Sequence, residues 1–196
     1  MTTQRKPFTT TVYAMRHGPT TWNLQKRIQG NVETDIVIDE IDSYFDRIHA
    51  EALPEPDLVV ISDLKRTEQT AKALYRYRNW RNLVLQKRKK LNERRWGILE
   101  GAKIEDAKQQ LFDNAAIRLE YPAIQTVEDV GKVWDSDNFV VDGGESIRDV
   151  RQRVKVVVNE IVKEYNGKTI LFIVHAGVLV SLGLDYQKIS RITVNK

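Results

Sequence analysis

Cysteine is missing from all 196 residues. No disulfide framework and no thiolate zinc site can form without it, so packing must hold the fold, as suits a reducing compartment. Long apolar runs are missing as well, and none approaches the roughly 18 residues that a membrane span requires. The first residues, Met1 to Pro7, are polar and basic, without the apolar stretch of a secretory leader. The expectation is a cytoplasmic protein with no membrane partner. Histidine is scarce: there are three, with no His-x-His or His-Glu-x-x-His spacing. That is a poor ligand set, so no metal or other cofactor is expected. A glycine-rich loop ending in Gly-Lys-Ser or Gly-Lys-Thr is also missing, which leaves a nucleotide kinase unsupported.

What is present is an ordinary globular composition, 41% hydrophobic and 30% charged, with 31 Lys and Arg against 27 Asp and Glu. It predicts one domain over residues 1–196, without repeats or low-complexity segments. Nine basic residues crowd between Arg76 and Arg95, four of them consecutive from Lys87 to Lys90. Such a run attracts polyanions, but it is short and has only Trp80 as an aromatic companion. It is read as solvated surface, and no nucleic-acid partner is expected.

Hydrophobic patterning predicts strands at Thr10 to Met15, Asp57 to Ser62, Leu83 to Leu85 and Thr169 to Val174. The second and fourth are apolar throughout, as strands buried on both faces are. Helices are predicted from Thr67 to Tyr77, through Lys103 to Leu119, and from Ile147 to Tyr165. In the last, apolar residues step by three and four, Ser146 is a candidate N-cap, and Gly167 lies just past the end. The alternation implies a three-layer α/β/α domain with a largely parallel central sheet. Tyr121 to Asp142 reads as an irregular flap.

Ligands of such sheets bind beyond the carboxyl ends of the strands. Arg16, His17, Ser62, Arg66 and His175 all lie at or just after predicted strand ends. Two histidines and two arginines at one edge suit phosphoryl transfer, where charge spreads over the equatorial oxygens and catalysis is mostly positioning plus fixed positive charge. His49, near Ile41 and Phe45, is read as structural or surface.

The order of motifs goes further. Arg16-His17-Gly18-Pro19-Thr20-Thr21-Trp22-Asn23, followed by Gln29-Gly30, resembles the signature of the histidine phosphatase superfamily, the phosphoglycerate mutase-like family. Ser62 to Ala71, Leu91 to Gly101, Gly143 to Ser146 and His175-Ala176-Gly177 are similar to its four later blocks. The resemblance implies a phosphoglycerate mutase-like fold, a phosphohistidine on His17, and Arg16, Arg66 and His175 around the phosphoryl group. It also implies Asn23, Thr20, Gln29, Gly30 and Ala176 at the substrate. Glu93 is implied as proton donor and then as base, with Glu100 as a weaker competitor.

Two outcomes compete within that family, ester hydrolysis and transfer between the carbons of a phosphoglycerate. Leu-Asn-Glu-Arg-x-Trp-Gly reads close to the mutase version. Against it, Ile104 occupies the expected lysine position, with Lys103 only nearby, and Arg118 has no arginine neighbour. A phosphatase of a small phosphorylated molecule is favoured, a mutase is the alternative, and an inactive phospho-ligand binding module is the third reading. Arg94, Arg95 and Lys87 to Lys90 suggest a substrate with extra negative charge. The stretch after His175 is short for the family, so the last strand is expected to be shortened or missing. Oligomeric state is not legible, and a homodimer stays open.

Overall fold

A computed structural model describes residues 9–195. In chain order its regular elements are β1 (Thr9–Arg16), α1 (Thr21–Leu24), α2 (Ile41–Arg47), β2 (Leu58–Ile61), α3 (Lys65–Tyr77), β3 (Leu85–Lys87) and α4 (Ile104–Asp113). Then follow α5 (Ala115–Glu120), α6 (Val127–Val133), α7 (Ile147–Glu164), β4 (Thr169–Val174), α8 (Ala176–Ser181) and β5 (Ser190–Asn195). The five strands form one sheet in the order β3-β2-β4-β1-β5, all parallel except β5, which runs antiparallel to β1.

Strand side chains alternate between faces, and each face has its own core. Val12, Val60, Ile170 and Phe172 pack with Val150, Val154, Val157 and Ile161 of α7. Met15, Val59, Leu171 and Ile173 pack with Phe45 of α2 and Leu74 of α3. Burying each large aliphatic side chain contributes about 1.5–3 kcal/mol, so the central strands are secured from both sides. Helix α7 begins as its sequence predicts: Ser146 accepts from the Asp149 N–H, Asp149 returns the bond, and Gly167 past the end has φ +76°.

Four expectations are corrected. The third strand is Leu85–Lys87, two residues later than predicted; Val84 is 52% exposed, so at this sheet edge apolarity does not mark pairing and the register with Val59 and Ile61 does. The helix expected through Lys103 to Leu119 is broken at Asn114, which is extended and caps α5 through the N–H groups of Ala116 and Ile117. The stretch from Tyr121 to Asp142 is not an irregular flap. It contains α6, capped by Thr126 and Asp129, and buries Ile124, Val130, Phe139 and Val141 with Leu99, Ala107 and Leu111 in a third core. The last strand is present: β5 pairs with β1 over six residues, after a short α8.

Candidate active site

Register places the site. Arg16 of β1 pairs with Val174 of β4, and Ile61 of β2 pairs with Ile173. The next residues along the strands, His17, Ser62 and His175, therefore arrive together at the carboxyl edge of the sheet. The two imidazole rings lie 5.2 Å apart, edge to face.

The loop carrying His17 is fixed from several sides. Gly18 N–H donates to Thr70 Oγ1 at 2.8 Å, and Tyr44 Oη donates to the Arg16 carbonyl at 2.6 Å. His17 Nδ1 lies 2.7 Å from the carbonyl of Gly18. A carbonyl only accepts, so Nδ1 carries the proton and the lone pair resides on Nε2. Burial, and then the positive charges of Arg66 and Arg16, hold His17 well below the ordinary imidazole pKa. The ring is neutral at physiological pH, as a nitrogen nucleophile must be.

Arg66, fully buried on the first turn of α3, donates to the carbonyls of Val32 at 2.9 Å and Gly30 at 2.7 Å. Burial brings it down to about 10, so it keeps its charge. The Arg16 guanidinium lies over the ring of Tyr186, 5.7 Å from its centroid. His175 Nε2 lies 2.8 Å from Ser62 Oγ, and burial with the charge of Arg66 lowers its pKa too. Among the described residues, five buried side-chain polar atoms have no hydrogen-bond partner, and three belong to this group: Nε of Arg16, Nε of Arg66 and Nδ1 of His175. Such atoms are costly to bury unpaired.

Glu93 also lines the cleft. Its carboxylate accepts the N–H of Gly177 at 3.0 Å and of Arg94 at 2.7 Å. A Cβ on Gly177 would stand 2.5 Å from Glu93 Oε1, so this close approach needs a glycine. Glu100, the weaker candidate, spends its carboxylate on the N–H groups of Asn31 and Trp96.

These groups open on a cleft of about 360 Å³, lined among others by Arg16, His17, Asn23, Gln29, Gly30, Arg66, Glu93 and Ala176. Thr20 is not on its wall. It is fully buried, and its hydroxyl caps α1 by accepting the N–H of Asn23. The side-chain Oε1 of Gln29 accepts from the Thr34 hydroxyl at 2.7 Å. His49 is exposed and beside Glu51. Among the described residues no group of three or more His, Asp or Glu side chains is placed to hold a metal ion, and no helix is long and apolar enough to cross a membrane.

The charged run does not serve the cleft. Lys87 pairs with Glu68 at 2.6 Å, and Arg95 lies 4.0 Å from Glu145. Arg94, expected to meet substrate charge, is instead 1% exposed and donates to the carbonyls of Glu145, Trp134 and Phe139. Arg118 donates to the carbonyl of Phe112, over whose ring it lies. Sequence reasoning missed the outer wall: Arg27, Ile28, Trp96, Ile104, Trp134 and Tyr186. Trp96 sits inside a quoted motif and could have been flagged, whereas Trp134 and Tyr186 stand in segments without one.

The profile of the histidine phosphatase superfamily (branch 1) matches residues 12–193. The chain is 28% identical over 190 residues to the metal-independent phosphoserine phosphatase of Arabidopsis thaliana, covering 92% of this chain and 70% of that one. It is 32% identical over 123 residues to the uncharacterized phosphatase PhoE of Bacillus subtilis, covering 62% of this chain and 58% of the other. A crystal structure of phosphoglycerate mutase from Bacillus anthracis superposes with a TM-score of 0.75 over 96% of this chain and 89% of that one, at 23% identity, a likeness of fold. With its profile matched from the first strand to the last and two histidines brought to one sheet edge, the chain belongs to branch 1 of the histidine phosphatase superfamily.

Proposed function

We propose that the protein is a cytoplasmic, metal-independent phosphatase of a small phosphate monoester, working through a phosphohistidine on His17. One observation carries the reading: three unpaired buried polar atoms of Arg16, Arg66 and His175 are gathered around a neutral His17. A phosphoryl group supplies the oxygens those atoms lack. His17 Nε2 attacks phosphorus, the ester oxygen leaves with its electron pair, and Glu93 in its acid form gives it a proton. Glu93, now a carboxylate, takes a proton from water as that water attacks the phosphohistidine. Inorganic phosphate leaves and His17 is free again. Asn23, Gln29, Gly30 and Ala176 line the cleft beside the transferred group.

Hydrolysis is preferred to the mutase reaction because a mutase must also hold the carboxylate of the glycerate. Arg94 and Arg118 are engaged with backbone carbonyls instead. The names of the Arabidopsis and Bacillus subtilis relatives support the same choice.

The test is hydrolysis of p-nitrophenyl phosphate in excess EDTA, with 3-phosphoglycerate as a parallel substrate. The wild type is expected to release phosphate despite EDTA, and His17→Ala to lower kcat at least ~10³-fold. Faster conversion of 3- to 2-phosphoglycerate would replace the phosphatase by the mutase. Activity abolished by EDTA would refute the metal-independent mechanism.

A further inference from the structure

The cleft has two unlike ends. At the His17 end stand Arg16 and Arg66, whose charges act on its ring. Away from it, the lining passes to Ile28, Trp96, Ile104 and Trp134, four largely apolar side chains. This outer wall is built without help from a ligand. The rings of Trp96 and Trp134 lie 4.5 Å apart, and the buried Arg94 guanidinium lies 4.0 Å from the centre of Trp96 while donating to the Trp134 carbonyl. Ile28 belongs to the third core and Trp96, Ile104 and Trp134 pack against it, so the shape of the wall is preset.

Charge at this end is already engaged. Arg27 donates to the carbonyl of Gly101 at 2.7 Å and to Gln25 at 3.1 Å, and Lys108 pairs with Glu105 at 2.9 Å. Asp135, also on the lining, lies 3.9 Å from the buried Arg94. A polyanionic tail would meet charged groups that already have partners, and four hydrophobic side chains. It would also leave much of the space empty, since clefts of roughly 300 Å³ and above accommodate ligands far larger than a three-carbon acid.

We infer that the alcohol half of the substrate is a bulky, largely apolar group, such as a fused aromatic or heteroaromatic ring system, seated against Trp96, Trp134, Ile28 and Ile104. The inference rests on the phosphatase reading and names the class of ester it acts on. Transfer of an apolar group from water to this wall supplies the binding energy, and the phosphoryl end supplies orientation.

The test compares kcat/KM for 2-(1-naphthyl)ethyl phosphate with that for phosphoserine and 3-phosphoglycerate. The naphthyl compound is an alkyl ester, so leaving-group basicity does not favour it over the other two. A preference of about 100-fold or more for the naphthyl ester is expected, and Trp134→Ala should cut it about tenfold, chiefly by raising KM. Ile104→Lys, at a half-buried position on the first turn of α4, should shift the ratio the same way and improve turnover of 3-phosphoglycerate. Thermal melts of both variants report whether the wall is still folded. Equal or better turnover of phosphoserine or 3-phosphoglycerate by the wild type would overturn the inference and leave the phosphatase standing. So would an unchanged ratio in folded variants. Release of phosphate from none of the three esters, nor from p-nitrophenyl phosphate, would sink the phosphatase reading and this inference together.

Discussion

Glu93 and Gly177 are constrained as a pair, because a Cβ on residue 177 would stand 2.5 Å from a carboxylate oxygen. Gly177→Ala is therefore expected to displace the proposed proton donor while leaving the sheet intact. The loss should depend on the leaving group: small for p-nitrophenolate, which departs without a proton, and about tenfold or more for an alkyl ester, which does not. A uniform loss across esters would show that the proton donor is elsewhere. Arg94 makes a different prediction. It bonds three carbonyls of a segment some forty residues on, so Arg94→Ala should destabilise the fold by about 3–5 kcal/mol, read from urea unfolding. The contrast marks what a sequence can disclose about single residues. His17, Arg66 and His175 stood at or just after predicted strand ends and Glu93 lay in a motif resembling the family's, and the structure brings the four together. Arg94 was misread because its partners are carbonyls, which every residue possesses and no sequence pattern distinguishes.

At the scale of elements, local signals worked where a side chain bonds its own neighbourhood. The capping box that opens α7 is readable as Ser-x-x-Asp, and the stripe behind it follows the helical period. Ser146→Ala should lower stability by about 1 kcal/mol, seen as a reduced urea midpoint with unchanged m-value. Position was harder to read where tertiary structure decides. Strand β3 is half exposed at the edge of the sheet and takes its register from β2. Asn114 interrupts a helical pattern because its side chain offers the backbone a cap in place of another turn, a competition that propensity alone does not resolve. The region from 121 to 142 looked irregular because its apolar residues face a third core, assembled from α4 and α6 rather than from the sheet.

For the molecule as a whole, the three-layer order followed from alternating strands and helices, while the extra core above the strand ends did not. Two of the three histidines are buried and held neutral well below their ordinary pKa. Unfolding lets each take up a proton below about pH 6.5, so the unfolded state binds more protons and stability falls as pH drops. Between pH 6 and pH 5 the loss from the pair should approach ~2.7 kcal/mol per pH unit, and His17→Ala should about halve that slope. A flat profile from pH 7.5 to 5 would contradict the burial of both rings. The sheet order has a consequence in time. Strand β1, which ends at the proposed nucleophile, is synthesised well before β4 and β5, the two strands it lies between. On the ribosome it has no lateral partner until residue 169 has emerged and none on its other side until residue 190. The nascent chain must therefore keep an unpaired strand from aggregating while everything from α1 to α7 is made, and a stall before β4 leaves a polypeptide with His17 but without the pocket around it.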